Sequence, residues 1–221
     1  MQSSWIFFFT VTVFMNAEIK AVFDIGSGAV KMQIARIDEE TQKIESLFCL
    51  AIPCIFSGNE IGEENLYHLE KILEQLKEEA NRYQPNDFLG FATERFRKAK
   101  NGEESLAILS KRTGIKIGMI DSYEEGVLGF LTAVNENGLD PKNVVVWDIG
   151  SGSFQITCQS NDGYIVYQSP YGKGPALSLI ESHEEIFLRD SLKVIPDSIR
   201  IKILANGGVV VGIGAHPKGF A

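Results

Sequence analysis

The chain has 221 residues and a formal net charge of −8, with 44% hydrophobic and 23% charged residues. That length holds one large domain or two of modest size, and the apolar content is that of a globular rather than a disordered chain. The acidic balance argues against general nucleic-acid binding, and a polyanionic ligand would need positive charge gathered locally.

At the amino terminus, Trp5–Phe14 (WIFFFTVTVF) is strongly apolar. It is too short to span a bilayer as a helix, which takes about 20 residues. Two readings stand for residues 1–17. Their length and apolar core suit a secretory signal cleaved after Ala17, which places the protein in the periplasm or outside the cell. No Lys or Arg precedes the apolar run, however, and translation from Met15 would instead give a short lead into the first strand of a cytoplasmic protein.

Ile19–Phe23 and Ala29–Ile37 are predicted as paired strands, and Ser46–Phe56 as a further β stretch. Leu66, Leu69, Leu73, Leu76 and Ala80 recur at helical spacing with Glu and Lys between them. This is an amphipathic helix with a solvated charged face, on which His68 lies. Asp87–Thr93 reads as a short strand. Asn101 and Glu104 have the spacing of a capping box, opening a helix that Gly114 ends. Ile115–Ile120 is a strand, and Ser122 with Glu125 opens a helix carrying Leu128, Leu131 and Val134.

A second series begins at Asn143, with strands to about Cys158 and a third, Tyr164–Gln168, after the turn at Asn161–Gly163. A helix follows near Pro175–Arg189, and VVVGIG closes the series as an apolar strand before a Gly-rich loop. Alternating strands and helices predict an α/β fold. The halves divide near Ser122–Gly138, giving a first domain over residues 18–126 and a second over 127–221, with the intervening helix as a hinge. Cys49, Cys54 and Cys158 have no metal-ligand spacing, and Cys49 and Cys54, in or beside an apolar run, are expected as buried free thiols. His183 and His216 have no partner at such a spacing, so no zinc site is assigned.

The most informative feature is a doubled unit. FDIGSG at Phe23–Gly28 returns as WDIGSG at Trp147–Gly152, each ending an apolar β-branched run and each followed by another alternating run. Glycine reaches backbone angles that other residues avoid, so consecutive N–H groups can converge on an anion. An Asp at the end of the incoming strand can hold a hydrated divalent cation. Facing one another, two such turns make a phosphate clamp lined by Asp24, Gly26, Ser27 and Gly28 on one side. Gly150, Ser151, Gly152 and Ser153 line the other. Two unrelated hairpins are the plain alternative, which the repetition in the same strand context disfavours.

The doubled turn resembles those of the actin, sugar-kinase and heat-shock-protein superfamily, in which two ribonuclease-H-like domains face each other across a cleft. Within it, four ordered segments resemble the exopolyphosphatase/guanosine pentaphosphate phosphatase (Ppx/GppA) family. Asp24–Gly28 is similar to that family's D-(I/L)-G-S-N turn. Phe91–Gly102 (FATERFRKAKNG) is similar to A-T-x-x-x-R-x-A-x-N, matching at Ala92, Thr93, Arg97, Ala99 and Asn101. Ser122–Gly126 (SYEEG) resembles S-G-x-E-E-A, and Trp147–Gln155 resembles D-(I/L)-G-G-G-S-x-E.

The resemblance implies two actin-like ribonuclease-H-like domains, the second incomplete at the carboxyl end. It also implies hydrolysis of terminal phosphates of polyphosphate or guanosine pentaphosphate, with Mg2+. Carried over, Glu125 is the general base, Arg97 a phosphate ligand and Asp148 a metal ligand, with Gln155 at the second metal position. Arg95, Lys98 and Lys100 beside Arg97 would supply the positive charge the whole chain lacks. Each residue also has a purely structural reading. Glu125 can complete a capping box with Ser122, Arg97 can be a surface cation at a helix entry, and Asp148 can cap its own turn.

This chain departs from the family pattern at several places. Gln155 stands where the family has Glu, which keeps hydrogen-bonding capacity and loses the charge. Ser151 stands for the middle Gly of the second turn, Asp121–Ser122 for Ser-Gly, and GIGAH at Gly212–His216 for a later glycine loop. An incomplete second domain would leave apolar surface for a second copy or another partner to cover. Two other functions fit the same residues: a catalytically impaired phosphate or nucleotide binder, and an ATP-binding kinase-like or actin-like protein using GGVVVGIG at Gly207–Gly214.

Overall fold

The repeated hairpins open two sheets of like topology. The computed structural model describes residues 17–41, 43–55, 58–182, 184, 190, 194–205 and 210–214. The apolar segment Trp5–Phe14, the start at Met15, His183 and His216 lie outside the described residues, as do parts of the Gly207–Gly214 segment and of the helix expected to Arg189.

The first sheet runs β3-β2-β1-β4-β5. Its strands are β1 (Ala17–Ile25), β2 (Ala29–Asp38), β3 (Ile44–Pro53), β4 (Asp87–Ala92) and β5 (Lys116–Met119). The β1–β2 and β2–β3 pairs are antiparallel, and β4 joins β1 and β5 in parallel. Between β3 and β4 lies α1 (Glu63–Asn81), and between β4 and β5 lie the short α2 (Glu94–Lys98) and α3 (Gly102–Thr113). Every second residue toward the end of β1, at Ala21, Phe23 and Ile25, is fully buried. They meet the apolar stripe of α1, which buries Leu66, Leu69, Ile72, Leu73, Leu76 and Ala80. Burial of that kind contributes about 1.5–3 kcal/mol per large apolar side chain and holds a helix that would be marginal alone.

The second sheet runs β8-β7-β6-β9, built from β6 (Val145–Ile149), β7 (Phe154–Ser160), β8 (Gly163–Ser169) and β9 (Val210–Gly214). It repeats the first four strand positions of the first sheet with the same senses. The helix α4 (Ser122–Asn137) covers one face, packing Phe130, Ala133 and Val134 on Val144 and Val146. The opposite face buries Val145, Phe154, Ile156 and Cys158 with Ile199 of α6 (Asp197–Ala205). Between β8 and α6 lies α5 (Lys173–Glu181). Among the described residues, no helix is long and apolar enough to cross a membrane.

Local chemistry differs from the sequence-based expectation at several places. Asn101 does sit at the start of α3, but its side chain makes no cap bond. Instead its amide clamps the backbone of Ile61, accepting from the N–H and donating to the carbonyl, both at 2.9 Å. A buried loop that needs both of its groups satisfied outcompetes a helix end that water can reach. The capping box of α4 uses Asp121 and Glu124, not Ser122 and Glu125: Glu124 N–H donates to Asp121 at 2.7 Å and Asp121 N–H to Glu124 at 2.9 Å. Leu128 and Leu131 of α4 are exposed rather than core-facing. Cys49 is exposed too, while Cys54 and Cys158 are buried, and all three are free. The short α2 has no counterpart in the hydrophobic periodicity, since five residues are too few to show one.

Asn101→Ala is expected to remove about 2 kcal/mol of stability, because it deletes both bonds to Ile61 and leaves its partly buried backbone groups unpaired. Glu104→Ala should change stability by less than about 0.5 kcal/mol. Urea unfolding of the two variants, read as midpoint shifts at constant slope, checks the pair.

Candidate active site

Both glycine turns close in the same way. Gly26 N–H donates to Ala29 O at 3.0 Å, and Gly150 N–H donates to Ser153 O at 2.9 Å. The second turn is further held by the start of α5. Its backbone N–H groups at Gly172, Lys173 and Gly174 donate to the carbonyls of Gly152, Gly150 and Ser151 at 3.1, 3.0 and 2.8 Å. A trans peptide sets N–H opposite C=O, so the N–H groups of Ser151, Gly152 and Ser153 point away from α5.

The two turns meet directly. A methyl group on Gly28 would overlap the Ser151 side chain, and one on Gly152 would overlap the Glu94 carboxylate and lie 3.0 Å from Ser27 Oγ. Ser27 Oγ also donates to Glu94 Oε2 at 3.0 Å. A cleft of about 560 Å3 opens beside this junction. Asp24, Lys31 and the first turn line it from one half; Asp148, the second turn and the α4 residues Glu125, Leu128, Gly129 and Thr132 line it from the other. Asp24 and Asp148 thus share one cleft.

The repeat also aligns their neighbours. Asp24 lies opposite Lys31 in the β1–β2 ladder, as Asp148 lies opposite Gln155 in the β6–β7 ladder. Lys31 Nζ donates to Asp24 at 2.9 Å. Burial draws the Lys31 ammonium down, but Asp24, with Asp148 and Glu125 beyond it, pushes it above its ordinary value overall. Among the described residues Asp148 has no such partner. Burial, with Glu125 and Asp24 adding to it and Lys31 opposing, raises its carboxyl from 3.8 to about 6. Gly129 makes room for it, since a Cβ there would lie 2.8 Å from Asp148 Oδ2.

Glu125, free of the capping box, turns toward Arg97. The guanidinium donates to Glu125 Oε2 at 2.8 Å and to Ile120 O at 2.9 Å. Burial raises the Glu125 carboxyl, against the pull of Arg97. Arg97 lines a smaller pocket behind the second turn rather than the large cleft, and Gln155 lines that pocket with it. The charge expected from the rest of RFRKAK is already engaged. Arg95 donates to the carbonyls of Gly58 and Glu60, Lys98 pairs with Glu94, and Lys100 lies 3.9 Å from Glu60 at the surface.

Asp148 and Gln155, expected as a two-residue magnesium seat, face different cavities. Gln155 Nε2 has no hydrogen-bond partner among the described residues, and the amide brings no negative charge to a cation. Among the described residues no three His, Cys, Asp or Glu side chains gather as ready metal ligands. Asp148 itself does fit, because magnesium takes one or two carboxylates and completes its shell with water and phosphate oxygens. Sequence reading missed Lys31, Glu94, Gly129 and the Gly172–Gly174 anchor. Only Lys31 had a signal, since it falls at the repeat position equivalent to Gln155.

Two sheets of ribonuclease-H-like order flanking a cleft define an actin-like α/β protein. The sequence profile of the Ppx/GppA phosphatase family matches residues 55–174, more than half of the chain, and the chain belongs to that family. The solved Aquifex aeolicus PPX-GPPA enzyme is similar at 22% identity and a TM-score of 0.65, covering 80% of this chain and 64% of its own. Another Aquifex aeolicus Ppx/GppA structure gives 23% and 0.63, over 75% and 54% of the two chains. An exopolyphosphatase from Cytophaga hutchinsonii gives 16% and 0.63, over 73% and 53%. The chain therefore spans less than two thirds of the length of each, and at these identities the likeness is one of fold. No curated protein matches the sequence.

The Asp148 carboxyl makes a pH prediction. A group raised on folding binds its proton more tightly in the folded state, so its ionisation costs stability. The cost is absent below the ordinary 3.8, grows as pH rises to about 6, and is full above it. The difference is worth about 3 kcal/mol. In EDTA, Asp148→Asn should be more stable than wild type at pH 8 by up to about that amount, and the gain should vanish near pH 4. Thermal unfolding across that range tests it, and a pH-independent difference would contradict it.

Proposed function

We propose that the protein is a phosphatase that hydrolyses the terminal phosphate of polyphosphate or guanosine pentaphosphate by metal-assisted attack of water. The observation that supports this most is the junction of the two glycine turns beside a cleft containing both Asp24 and Asp148. Phosphoryl transfer is largely a matter of positioning and charge neutralisation, and that cleft offers backbone donors and two carboxylates on one wall each.

Mg2+ held at Asp148, with Asp24 across the cleft, would neutralise charge on the attacked phosphate when bound. The chain's own residues do the rest. In the ligand-free protein Arg97 and Glu125 neutralise each other. A phosphate that reaches past Ser153, on the wall shared by the two cavities, into the pocket that Arg97 lines would compete for the Arg97 fork, which suits pairs of phosphate oxygens. Glu125 is then released as a base whose carboxyl burial has already raised. It takes a proton from water while the water oxygen bonds to phosphorus and the bridging P–O bond breaks, the electron pair leaving with the shortened chain.

A second reading has its own support. Gln155 replaces a family carboxylate, and the site cations Lys31, Arg97 and Lys98 are all paired with acids. A phosphate or nucleotide binder without turnover would look the same. Phosphate release from polyphosphate with Mg2+ separates the two. The hydrolase reading expects release that EDTA abolishes and that Glu125→Gln slows by about 10²- to 10⁴-fold, the usual worth of a general base. Ligand binding by calorimetry with no release in the wild type would favour the binder.

A further inference from the structure

Beside the large cleft lies the smaller pocket, of about 280 Å3. Glu94 and Ser153 line both cavities, forming the wall between them. Glu94 is the acidic member of that wall. The family-like segment Phe91–Gly102 does not call for it, since A-T-x-x-x-R leaves position 94 open.

Only 9% of Glu94 is exposed. Burying an ionised carboxylate is costly unless it is paired and hydrogen-bonded. The first half meets both conditions: Ser27 Oγ donates to Oε2 at 3.0 Å, and the Lys98 ammonium pairs with Oε1. From the second half, the backbone of Gly152 abuts the carboxylate so closely that a Cβ there would overlap Oε2. The group therefore fills the space between the two glycine turns and leaves no gap beside Gly152. Its charge reaches further. Burial is the main reason the Glu125 carboxyl is raised, and the charges of Asp24 and Glu94 add to it while Arg97 opposes. A lone phosphate ion fits within one cavity and need not touch this wall. A phosphate chain that occupies both must pass the carboxylate at contact distance, where like charges repel with little screening.

We propose that Glu94 is a specificity-determining gate: an internal carboxylate, seated between the glycine turns, that a phosphate chain must displace to span the two cavities and that a single phosphate ion does not meet. The proposal rests on the reading of the large cleft as the site of a phosphate chain. It deepens that reading by naming the residue that sets selectivity between chain and single ion. Glu94 acts through its charge, so removing the charge admits the chain, and keeping it on a shorter side chain does not.

Calorimetric titration of tripolyphosphate and, separately, of orthophosphate into the full chain tests the gate, in EDTA so that no turnover intervenes. Wild type is compared with Glu94→Gln, which keeps the shape and an acceptor for Ser27 but loses the charge, and with Glu94→Asp, which keeps the charge. Glu94→Gln is expected to bind tripolyphosphate at least about tenfold more tightly than wild type, with orthophosphate changed by less than about threefold. Glu94→Asp is expected to stay within about threefold of wild type for both. Glu94→Ser, smaller and uncharged, should show the same gain and serves if Glu94→Gln does not fold. A folded uncharged variant that binds tripolyphosphate no more tightly than wild type, or that gains equally for orthophosphate, overturns the gate. So does tripolyphosphate that binds none of the proteins. Mg2+-dependent phosphate release that Glu125→Gln slows would keep the hydrolase reading whatever Glu94 does, and release indifferent to that change would strike the hydrolase reading alone.

Discussion

Glycine backbone meets side chains where the two halves of this protein come together, and the rest of the site follows from that contact. Gly28 lies against Ser151, and Gly152 against Glu94 and Ser27, at separations that leave no room for a Cβ on either glycine. Because the turns approach so closely, the strand ends behind them bring Asp24 and Asp148 to one cleft. Close approach also explains why the second turn needs outside support. Three of its carbonyls are held by the first residues of α5, so the loop is braced on its carbonyl side.

Each cation at the site is paired with a carboxylate. Lys31 answers Asp24, Arg97 answers Glu125, and Lys98 answers Glu94. An acidic chain could not otherwise bring this many carboxylates together, because a half-buried charge without a partner is costly. Under the proposed function, an anion would enter by exchange. Each cation it takes leaves a carboxylate to be protonated, to act as a base or to find a metal ion. Asp148, the acid left without a direct partner, shows the strain of that arrangement in its raised carboxyl.

The repeat has diverged in ways that give its halves different work. The same hairpin position carries Lys31 in one half and Gln155 in the other. One makes an ion pair in the large cleft; the other places an orphaned donor in the small pocket. Both sheets share their strand order, but the first lays α1 and α3 on one face, while the second is held between α4 and α6. The glycines of α4 serve the site more than the helix. Gly129 admits Asp148, and Gly126 admits Val166 and Thr157 of the second sheet, at a cost in helix propensity of about 1 kcal/mol each relative to Ala.

The strands, the long amphipathic helix and the doubled turn were legible in the sequence because each is written in a local period or a repeated motif. Ala21, Phe23 and Ile25 alternate, Leu66 to Ala80 recur at helical spacing, and DIGSG occurs twice. Membership of the family followed from four ordered segments of the same local kind. What the sequence could not decide was which of two plausible partners a polar side chain would choose. Asn101 left its helix for Ile61, Glu125 yielded the cap to Glu124 and met Arg97, and Gln155 turned from Asp148's cleft to another pocket. Those choices depend on distances between segments far apart in the chain, and on which groups burial leaves unsatisfied. Only the packed tertiary structure determines either.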